Sequence, residues 1–492
     1  MTSHLTIRAQ RLEEKFSRDH TRVITKTFLP GGKKRIKSLI KRTLALPKED
    51  VGYILEHVVA NFSNRHKNLK SVFRNNFEKI SGYLPKGVTP FEEQILLLGA
   101  YFTHEYSIQA AAFFNPSIVA HPDQSGLKQD ELRFIISFRS TGEGHISSIE
   151  FRSGLLTAEN DVVLDPVSDF VESPMEVRNP AYDKANFIRK LAEMDALNEV
   201  SEALLKGLGR SFSFDELENA VQEYKYEKPQ RSNVRRAVAD IFWLANANYV
   251  VQFNKSHDLS ERVIFPVSEI ESRGIEDARF VRFVEDNGEV TYYATVTAYN
   301  GFRIVPELIQ TKDFSRFRMI TLNGKCARDK GMALFPRRIN GNYMMVSRMD
   351  GERLFLMSSN NIHFWEDADL LLEPTEPWEA IQIGNCGSPI ETPEGWLLLT
   401  HGVGPVRQYC IGVALLDLED PRKVIGKLSD PILVPTGDER EGYVPNVVYS
   451  CGALIHNEEL IIPYAMSDTA SAIAVVPVRD LLEALQATRG QR

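Results

Sequence analysis

Residues 272 to 280 read SRGIEDARF and place two adjacent acids, Glu276 and Asp277, just before Arg279. An acid pair can act as proton donor and acceptor, or one acid can form an ion pair that holds a strand in place. Because neighbouring strand residues point to opposite faces, Asp277 and Arg279 share a face and Glu276 points away. From spacing alone, an Asp277–Arg279 ion pair is favoured over a symmetrical catalytic pair.

The elements that must position these acids are hairpins that recur along the chain. Beyond residue 105, short alternating apolar runs are broken by turns, a pattern typical of strands. The turns lie near Asp130-Glu131, Asn287-Gly288, Asn340-Gly341, Glu394-Gly395 and Asn457-Glu458. The second, third and fourth turns are 53 and 54 residues apart, and the last lies 63 further on. A hairpin that recurs every 40 to 55 residues or so is typical of propeller blades.

The longer gap between the first two hairpins contains a helical pattern, which includes FIRKLAEMDALNEVSEALLKGL and the capping box SFDE at 213–216. The first hundred residues are also helical in pattern, as in EDVGYILEHVVANF. The sequence therefore predicts an all-β five-bladed β-propeller with two helical additions. The predicted regions are a helical N-terminal extension (1–105), a propeller catalytic domain (106–480) with a helical insertion at about 170–255, and a C-terminal tail (481–492).

Composition indicates a folded, soluble chain of 492 residues with a net charge of −8. Residues 1–50 carry 13 Lys and Arg against 5 Asp and Glu, with the densest run, GGKKRIKSLIKR, at 31–42. We interpret this run as a basic helix face or a contact with an acidic neighbouring subunit, since no nucleic-acid motif accompanies it. Four cysteines without CxxC spacing, no signal peptide and no long apolar stretch predict a cytoplasmic protein that does not enter a membrane.

In a propeller, strand ends from every blade converge at one mouth of a central channel. Polar residues stand at matching hairpin ends and entries: Arg139, Tyr299, Arg348, His401 and Asp468 at the ends, and Asn115, Asp277, Lys330, Ser388 and Asn446 at the entries. Each alone could be a turn or cap residue. Together they predict a funnel with excess positive charge around one or two carboxylates.

GIEDAR resembles the Gly-x-Glu-Asp-Pro-Arg signature of glycoside hydrolase family 130, which contains β-mannoside phosphorylases and related β-mannosidases. Further segments resemble the family in the same order: NPS at 115–117, FRSTGEGHISSIEFRSG, KGMALFPRRINGNYMMVSR, GSPIETPEGWLLLTHGVG and EGYVPNVVYSCG. The resemblance implies a five-bladed propeller, in agreement with the hairpin count. The helical additions resemble a longer-chain branch that contains a 1,2-β-oligomannan phosphorylase.

The resemblance implies an inverting phosphorolysis in which phosphate attacks the mannosyl carbon. Asp277 would be the single catalytic acid, protonating the leaving oxygen through the 3-hydroxyl of the sugar. The family positions that would bind phosphate are Arg303, Lys330 and His401. Those that would bind the mannoside are Asn115, Arg139, Glu276, Arg279, Arg348, Tyr443 and Asp468. Taken singly, Arg303 could instead pair with Glu307, and His401 could be a core histidine.

Three functions are compatible with the sequence. The first is phosphorolysis of β-1,2-mannosides, with phosphate as co-substrate, no metal or other cofactor, no nucleic-acid partner, and a possible homo-oligomer formed through the helical N-terminus. The second is hydrolysis, with Glu439 or Glu441 as the base that activates water. The third is a non-catalytic carbohydrate-binding propeller. Three departures from the family pattern, Ala278, Gly331 and Ser347, bear on the leaving-group sugar and on phosphate geometry.

Overall fold

The structure is a computed structural model that describes residues 7–179, 181–227, 232–302 and 304–488. The helices in these ranges are α1 (Lys33–Leu44), α2 (Lys48–Phe62), α3 (Leu69–Ile80), α4 (Glu92–Tyr101), α5 (Lys184–Glu193), α6 (Glu199–Lys206), α7 (Phe214–Glu227), α8 (Ser232–Asn246) and α9 (Val478–Ala487). None of them is long and apolar enough to cross a membrane.

The strands, in chain order, are β1 (Gln10–Phe16), β2 (Val23–Thr27), β3 (Thr103–Ser107), β4 (Ala112–Ala120), β5 (Leu132–Thr141), β6 (Ser147–Leu156), β7 (Val162–Leu164), β8 (Met175–Arg178), β9 (Tyr182–Asp183), β10 (Ser211–Phe212), β11 (Tyr249–Gln252), β12 (Val263–Ile264), β13 (Gly274–Val284), β14 (Val290–Tyr299), β15 (Ile304–Thr311), β16 (Arg316–Thr321), β17 (Ala333–Leu334), β18 (Tyr343–Ser347), β19 (Leu354–Ser359), β20 (Asp367–Leu372), β21 (Gln382–Asn385), β22 (Ile390–Thr392), β23 (Gly395–Val403), β24 (Tyr409–Leu416), β25 (Val424–Lys427), β26 (Val448–Tyr449), β27 (Leu454–His456), β28 (Glu459–Met466) and β29 (Ala470–Pro477).

The protein is mostly antiparallel β-structure with helices added. Consecutive strands pair in groups: β4–β7, β13–β16 extended by β11 and β8, β17–β20, β21–β25, and β26–β29. The first two groups belong to one sheet through a single parallel pairing, Gly274 with Ser147. Gly274 has a φ of +131°, and a Cβ there would lie 2.6 Å from the backbone nitrogen of Ser147. Only glycine therefore fits at the start of β13.

Apolar clusters fill the space between successive strand groups. Phe151 and Phe280 belong to the cluster between the first and second groups, and further clusters join the second to the third, the third to the fourth and the fourth to the fifth. A last cluster, with Phe138 and Ile473, joins the fifth group back to the first. These five clusters hold in fixed positions the strands that carry candidate site residues, such as β4 with Asn115 and β13 with Asp277.

The N-terminal region contains strands as well as helices. β1 pairs with β29, with Gln10 opposite Val475, and so adds an edge strand to the last group. Only Phe16 of β1 is buried, and the sequence QRLEEKF carries few of the apolar residues from which a strand is predicted. The helical insertion is present as α5–α8, with its own apolar cluster. The predicted SFDE capping box is confirmed, since the backbone nitrogen of Ser213 donates to Glu216 and that of Glu216 donates to the Ser213 hydroxyl.

Candidate active site

Asp277 on β13 and Asn115 on β4 each lie at a β-bulge, and the two strands are neighbours. The pairing register shifts between Glu276 and Arg279 on β13, and between Phe114 and Ser117 on β4. Asp277 and Asn115 have φ values of +55° and +49°, a left-handed conformation that Asp and Asn tolerate better than most residues. These bulges re-aim the two side chains toward each other, and the Asn115 amide donates to Asp277 Oδ1 at 2.7 Å.

Arg139 joins both acids of the GIEDAR segment. Its guanidinium donates to Glu276 Oε1 at 2.7 Å and to Asp277 Oδ1 at 3.3 Å. The expectation that Glu276 and Asp277 point to opposite faces is therefore wrong at this bulge, because an extra residue interrupts strand alternation. Burial alone would lower the pKa of Arg139, but the carboxylates of Glu276, Asp277 and Asp468 outweigh burial and raise it.

Arg279 is not the ion-pair partner of the Asp277 carboxylate. Its guanidinium donates to the backbone carbonyl of Asp277 at 3.2 Å and to the hydroxyl of Tyr449. Burial favours a lower pKa for Arg279, but the surrounding acidic groups raise it. Arg279 thus supports the bulge backbone from behind, while Asn115 and Arg139 bind the carboxylate.

The Asp277 carboxyl is held in its ionised form. Its burial alone would raise the pKa, but Arg139, Arg279, the hydrogen bond from Asn115 and Lys330 together lower it below 3.8. A proton donor at this position must therefore gain its proton when the electrostatics of the site change, as they do when an anion binds.

Asp468 is a second carboxyl at the same site. It lies in the turn between β28 and β29, with φ of +51°. Burial, together with the negative charges of Asp277 and Glu276, raises the pKa of Asp468 to about 6, despite the opposing effects of Arg139 and Arg407. The two carboxyls thus have pKa values displaced in opposite directions by their surroundings.

Lys330 and Arg348 form a positively charged part of the pocket lining. In the described ranges, the buried Nε of Arg348 has no hydrogen-bond partner. A buried guanidinium nitrogen without a partner is costly unless a ligand or water accepts its hydrogen. Arg and Lys are the usual donors to phosphate and carboxylate groups, so this side of the pocket is suited to an anion.

His401 enters the site as a neutral imidazole. Burial, and then the nearby charges of Arg348 and Arg279, hold the pKa of His401 well below 6.5. Its Nδ1 lies 3.1 Å from the carbonyl oxygen of Asn385, so Nδ1 carries the hydrogen and Nε2 is left as an acceptor. On the facing strand, a Cβ at Gly384 would lie 2.3 Å from the imidazole, so the ring needs glycine there.

These side chains line one cavity of about 150 Å³, which we call the Asp277 pocket. It brings together seven of the predicted residues: Asn115, Arg139, Asp277, Lys330, Arg348, His401 and Asp468. It also contains three that the sequence reasoning missed, Arg407, Tyr409 and Tyr449. Arg407 follows a strand end in VGPVRQY, the position at which the other polar residues were found, so the same signal could have identified it.

Three predicted residues in the described ranges do not line the pocket. Glu276 and Arg279 contact it through Arg139 and the Asp277 backbone. Tyr443 is exposed and stacks on His145, with ring centroids 5.6 Å apart. Arg303 lies outside the described residues.

The two acids considered as bases for hydrolysis also lie outside the pocket. Glu439 is buried and accepts from Arg11 at 2.6 and 2.8 Å and from the Tyr464 hydroxyl at 2.6 Å. Although burial opposes it, these bonds lower the pKa of Glu439 to about 2. Glu441 is exposed. Glu439 therefore has a structural role, as the ion-pair partner of Arg11 on β1. Within the described ranges, no group of three or more acidic, His or Cys side chains is arranged to hold a metal ion.

Comparison with known proteins gives a family match and similar curated relatives and solved structures. The model of glycoside hydrolase family 130, described as beta-1,4-mannooligosaccharide phosphorylase, matches residues 226–487. A 1,2-beta-oligomannan phosphorylase of Thermoanaerobacter sp. (strain X514) is 34% identical over 233 residues, which cover 45% of this chain and 75% of that protein. A beta-1,2-mannobiose phosphorylase of Listeria innocua serovar 6a is 29% identical over 291 residues, which cover 56% and 78%. The solved structure of the Listeria innocua beta-1,2-mannobiose phosphorylase in complex with beta-1,2-mannobiose has a TM-score of 0.45 and 24% identity, over 78% of this chain and 93% of that one.

Proposed function

The chain belongs to glycoside hydrolase family 130, and from this premise we propose that it cleaves β-1,2-linked mannosides with inorganic phosphate. The products are α-mannose 1-phosphate and a shortened acceptor, so the reaction inverts the anomeric centre. The observation that carries the proposal is the Asp277 pocket, which combines one ion-paired carboxylate with Lys330 and with Arg348, whose buried Nε has no hydrogen-bond partner in the described ranges.

Each side of the pocket has a separate task. Lys330, Arg348 and Arg303 hold the phosphate, and the neutral His401 accepts the hydrogen of its P–OH group. Asn115, Arg139 and Asp468 contact the mannosyl hydroxyls, while Glu276 and Arg279 hold Arg139 and the bulge in place. Tyr443, at the exposed rim, contacts the acceptor sugar. No cofactor other than phosphate is required, because phosphate is already a nucleophile and needs no base.

Phosphate binding also lets Asp277 take up the proton that catalysis needs. Its negative charge beside Lys330 and Arg348 offsets the cations that keep Asp277 ionised, so the pKa of Asp277 rises on binding. A phosphate oxygen then bonds to C1 as the glycosidic C1–O bond breaks, and the Asp277 proton passes through the 3-hydroxyl to the leaving oxygen. Asp277 takes up one proton from water as phosphate binds and gives it to the leaving oxygen, so that Asp277 ends as it began. Monohydrogen phosphate, once bonded to C1, releases its own proton to water.

We extend the proposal to the architecture, as a five-bladed β-propeller with the Asp277 pocket at one mouth of its channel. The five apolar clusters between successive strand groups, the last of which joins the fifth group to the first, support this arrangement. Inner strands of the different groups would then converge at the channel, as the pocket lining requires.

Hydrolysis is the competing reaction, and its base would have to be Asp468 rather than Glu439. Asp468 lines the pocket, and its pKa of about 6 leaves it ionised at neutral pH. The test is to incubate the purified protein with β-1,2-mannobiose, with and without phosphate. We expect mannose 1-phosphate only when phosphate is present. Equal release of free mannose without phosphate would establish hydrolysis instead.

A further inference from the structure

A second cavity, of about 490 Å³, lies where the helical insertion packs against the outer strands of the β13–β16 group. Residues 243–249, from α8 to β11, form one wall, and the loop 267–270 that leads to β13 forms another. We call it the Trp243 cavity. β11 is four strands from β13 in the sheet, which is about 19 Å at the usual strand spacing.

The Trp243 cavity opens at the same end of the sheet as the Asp277 pocket. Tyr249 in its wall begins β11 and lies opposite Met319, two residues before the end of β16, and Gly274 begins β13 opposite Tyr299. Between the two sites stands the β14–β15 hairpin, which carries Phe302 at its tip with 95% of its surface exposed. An exposed aromatic ring thus lies between the two cavities, on the edge that joins them.

The lining of the Trp243 cavity is suited to a neutral polar ligand. Aromatic rings from Tyr182, Phe214, Trp243 and Tyr249 are combined with the amides of Asn179, Asn246 and Asn248. Among the described residues, the lining includes no Lys, Arg or His and a single carboxylate, Glu269. An anion would be repelled by Glu269 and would find no cation, whereas a sugar can place its C–H faces on the rings and its hydroxyls on the amides.

Asn179, which lines both this cavity and a smaller one of about 290 Å³ beside it, carries an oxygen that is unpaired in the described ranges. Its side chain is only 3% exposed, and in the described structure its Oδ1 has no hydrogen-bond partner. Buried side-chain oxygens are nearly always paired, so an unpaired one that lines a cavity points to a ligand or water hydroxyl. Trp243, half-buried beside Ala247 and Ile270, offers an aromatic surface in the same space.

We propose that the Trp243 cavity is a secondary binding site for a neutral oligosaccharide. If the proposed function holds, on which the identity of the ligand rests, that ligand is the part of a β-1,2-mannan chain remote from the bond being cleaved. A chain that leaves the Asp277 pocket would pass Phe302 and reach Trp243. The helical insertion would then increase affinity for long chains over short ones.

The test measures binding without turnover. β-1,2-Mannotetraose is titrated calorimetrically, without phosphate, into the full-length Asp277→Asn protein with or without one further substitution. We expect Trp243→Ala to raise Kd about tenfold and Asn246→Ala, at the exposed rim, to raise it about threefold. Tyr226→Ala is the matched control, because Tyr226 is 90% exposed on α7 of the same insertion and does not line the cavity.

The outcomes distinguish failure of the binding-site proposal from failure of the proposed function. An unchanged Kd in both Trp243→Ala and Asn246→Ala, with circular dichroism as in the parent, would overturn the site even if phosphorolysis is observed. If phosphorolysis fails but maltotetraose, a neutral chain of another linkage, binds in a Trp243-dependent way, the site stands and only its mannan ligand is lost. Equal weakening by Tyr226→Ala would also overturn it, since the effect would not be local to the cavity.

Discussion

The Asp277 pocket and the Trp243 cavity lie at one end of the same sheet, yet their linings differ in charge. The pocket combines Asp277 and Asp468 with four cationic side chains. The cavity has aromatic rings, amides and one carboxylate. The pocket can therefore hold an anion and move a proton, whereas the cavity can only hold a neutral molecule. On the two proposals made above, this difference would separate the chemistry at the bond being cleaved from recognition of the rest of the chain.

The substitution with the largest expected effect is Asp277→Asn in the pocket. The amide keeps the shape of the side chain but cannot donate a catalytic proton, so we expect kcat for phosphorolysis of β-1,2-mannobiose to fall by about 10² to 10⁴. Thermal unfolding should show a folded protein, because Arg139 keeps its bond to Glu276. Loss of soluble protein would instead mean that Asp277 has a structural role.

A second test asks whether a cationic side chain of the Asp277 pocket, that of Lys330, binds phosphate. Lys330→Met should raise KM for phosphate about 10- to 100-fold, the usual cost of a lost hydrogen bond to a charged group. Steady-state kinetics at varied phosphate concentration measure the change. Lys325→Met is the control, since Lys325 is an exposed lysine on the same segment that does not line the pocket. A similar rise in the control would exclude a specific contact.

A third test uses the raised pKa of Asp468. A carboxyl with a folded-state pKa of about 6, above its ordinary 3.8, destabilises the fold as pH rises from 3.8 to 6, and the penalty is complete above pH 6. The penalty is at most about 3 kcal/mol, and partial exposure to water reduces our expectation to about 1 kcal/mol. Asp468→Asn should therefore raise Tm at pH 7.5 and leave it unchanged near pH 3.5, while it weakens activity. No gain in Tm at pH 7.5 would contradict the assignment.

The smallest expected effect is that of ionic strength on KM for phosphate. Raising ionic strength from about 0.02 to 0.5 M should raise KM for phosphate about threefold, because salt screens the attraction of the cations. Binding of β-1,2-mannotetraose to the Asp277→Asn protein should change by less, since the ligand is neutral. Equal salt dependence of both constants would remove the electrostatic distinction between the two regions.

Much of this organisation could be predicted from the sequence, because hairpin turns carry local signals. Asn287-Gly288 lies between β13 and β14, and Asn457 lies between β27 and β28. The bulge at Asp277 could not be predicted, since an interruption of strand pairing depends on the partner strand as well as on local residue types. That bulge is why Glu276 and Asp277 both contact Arg139, against the expectation from alternation.

Two further features depended on long-range contacts. β1 is recognisable as a strand only through its pairing with β29, more than 450 residues along the chain. The neutral state of His401 follows from burial and from Arg348 and Arg279, which no local pattern reveals. The identity of the polar residues could thus be predicted, but their charge states and exact neighbours could not.

The most direct measurement of the central claim follows the oxygen atoms. The protein is incubated with β-1,2-mannobiose and phosphate that carries ¹⁸O at all four positions, in unlabelled water, and the products are analysed by mass spectrometry. If phosphate held in the Asp277 pocket attacks C1, the mannose 1-phosphate retains all four labelled atoms, and one free mannose, the leaving sugar, is formed with each molecule of it. Two molecules of free mannose for each mannobiose consumed, with labelled phosphate recovered unchanged, would contradict the account.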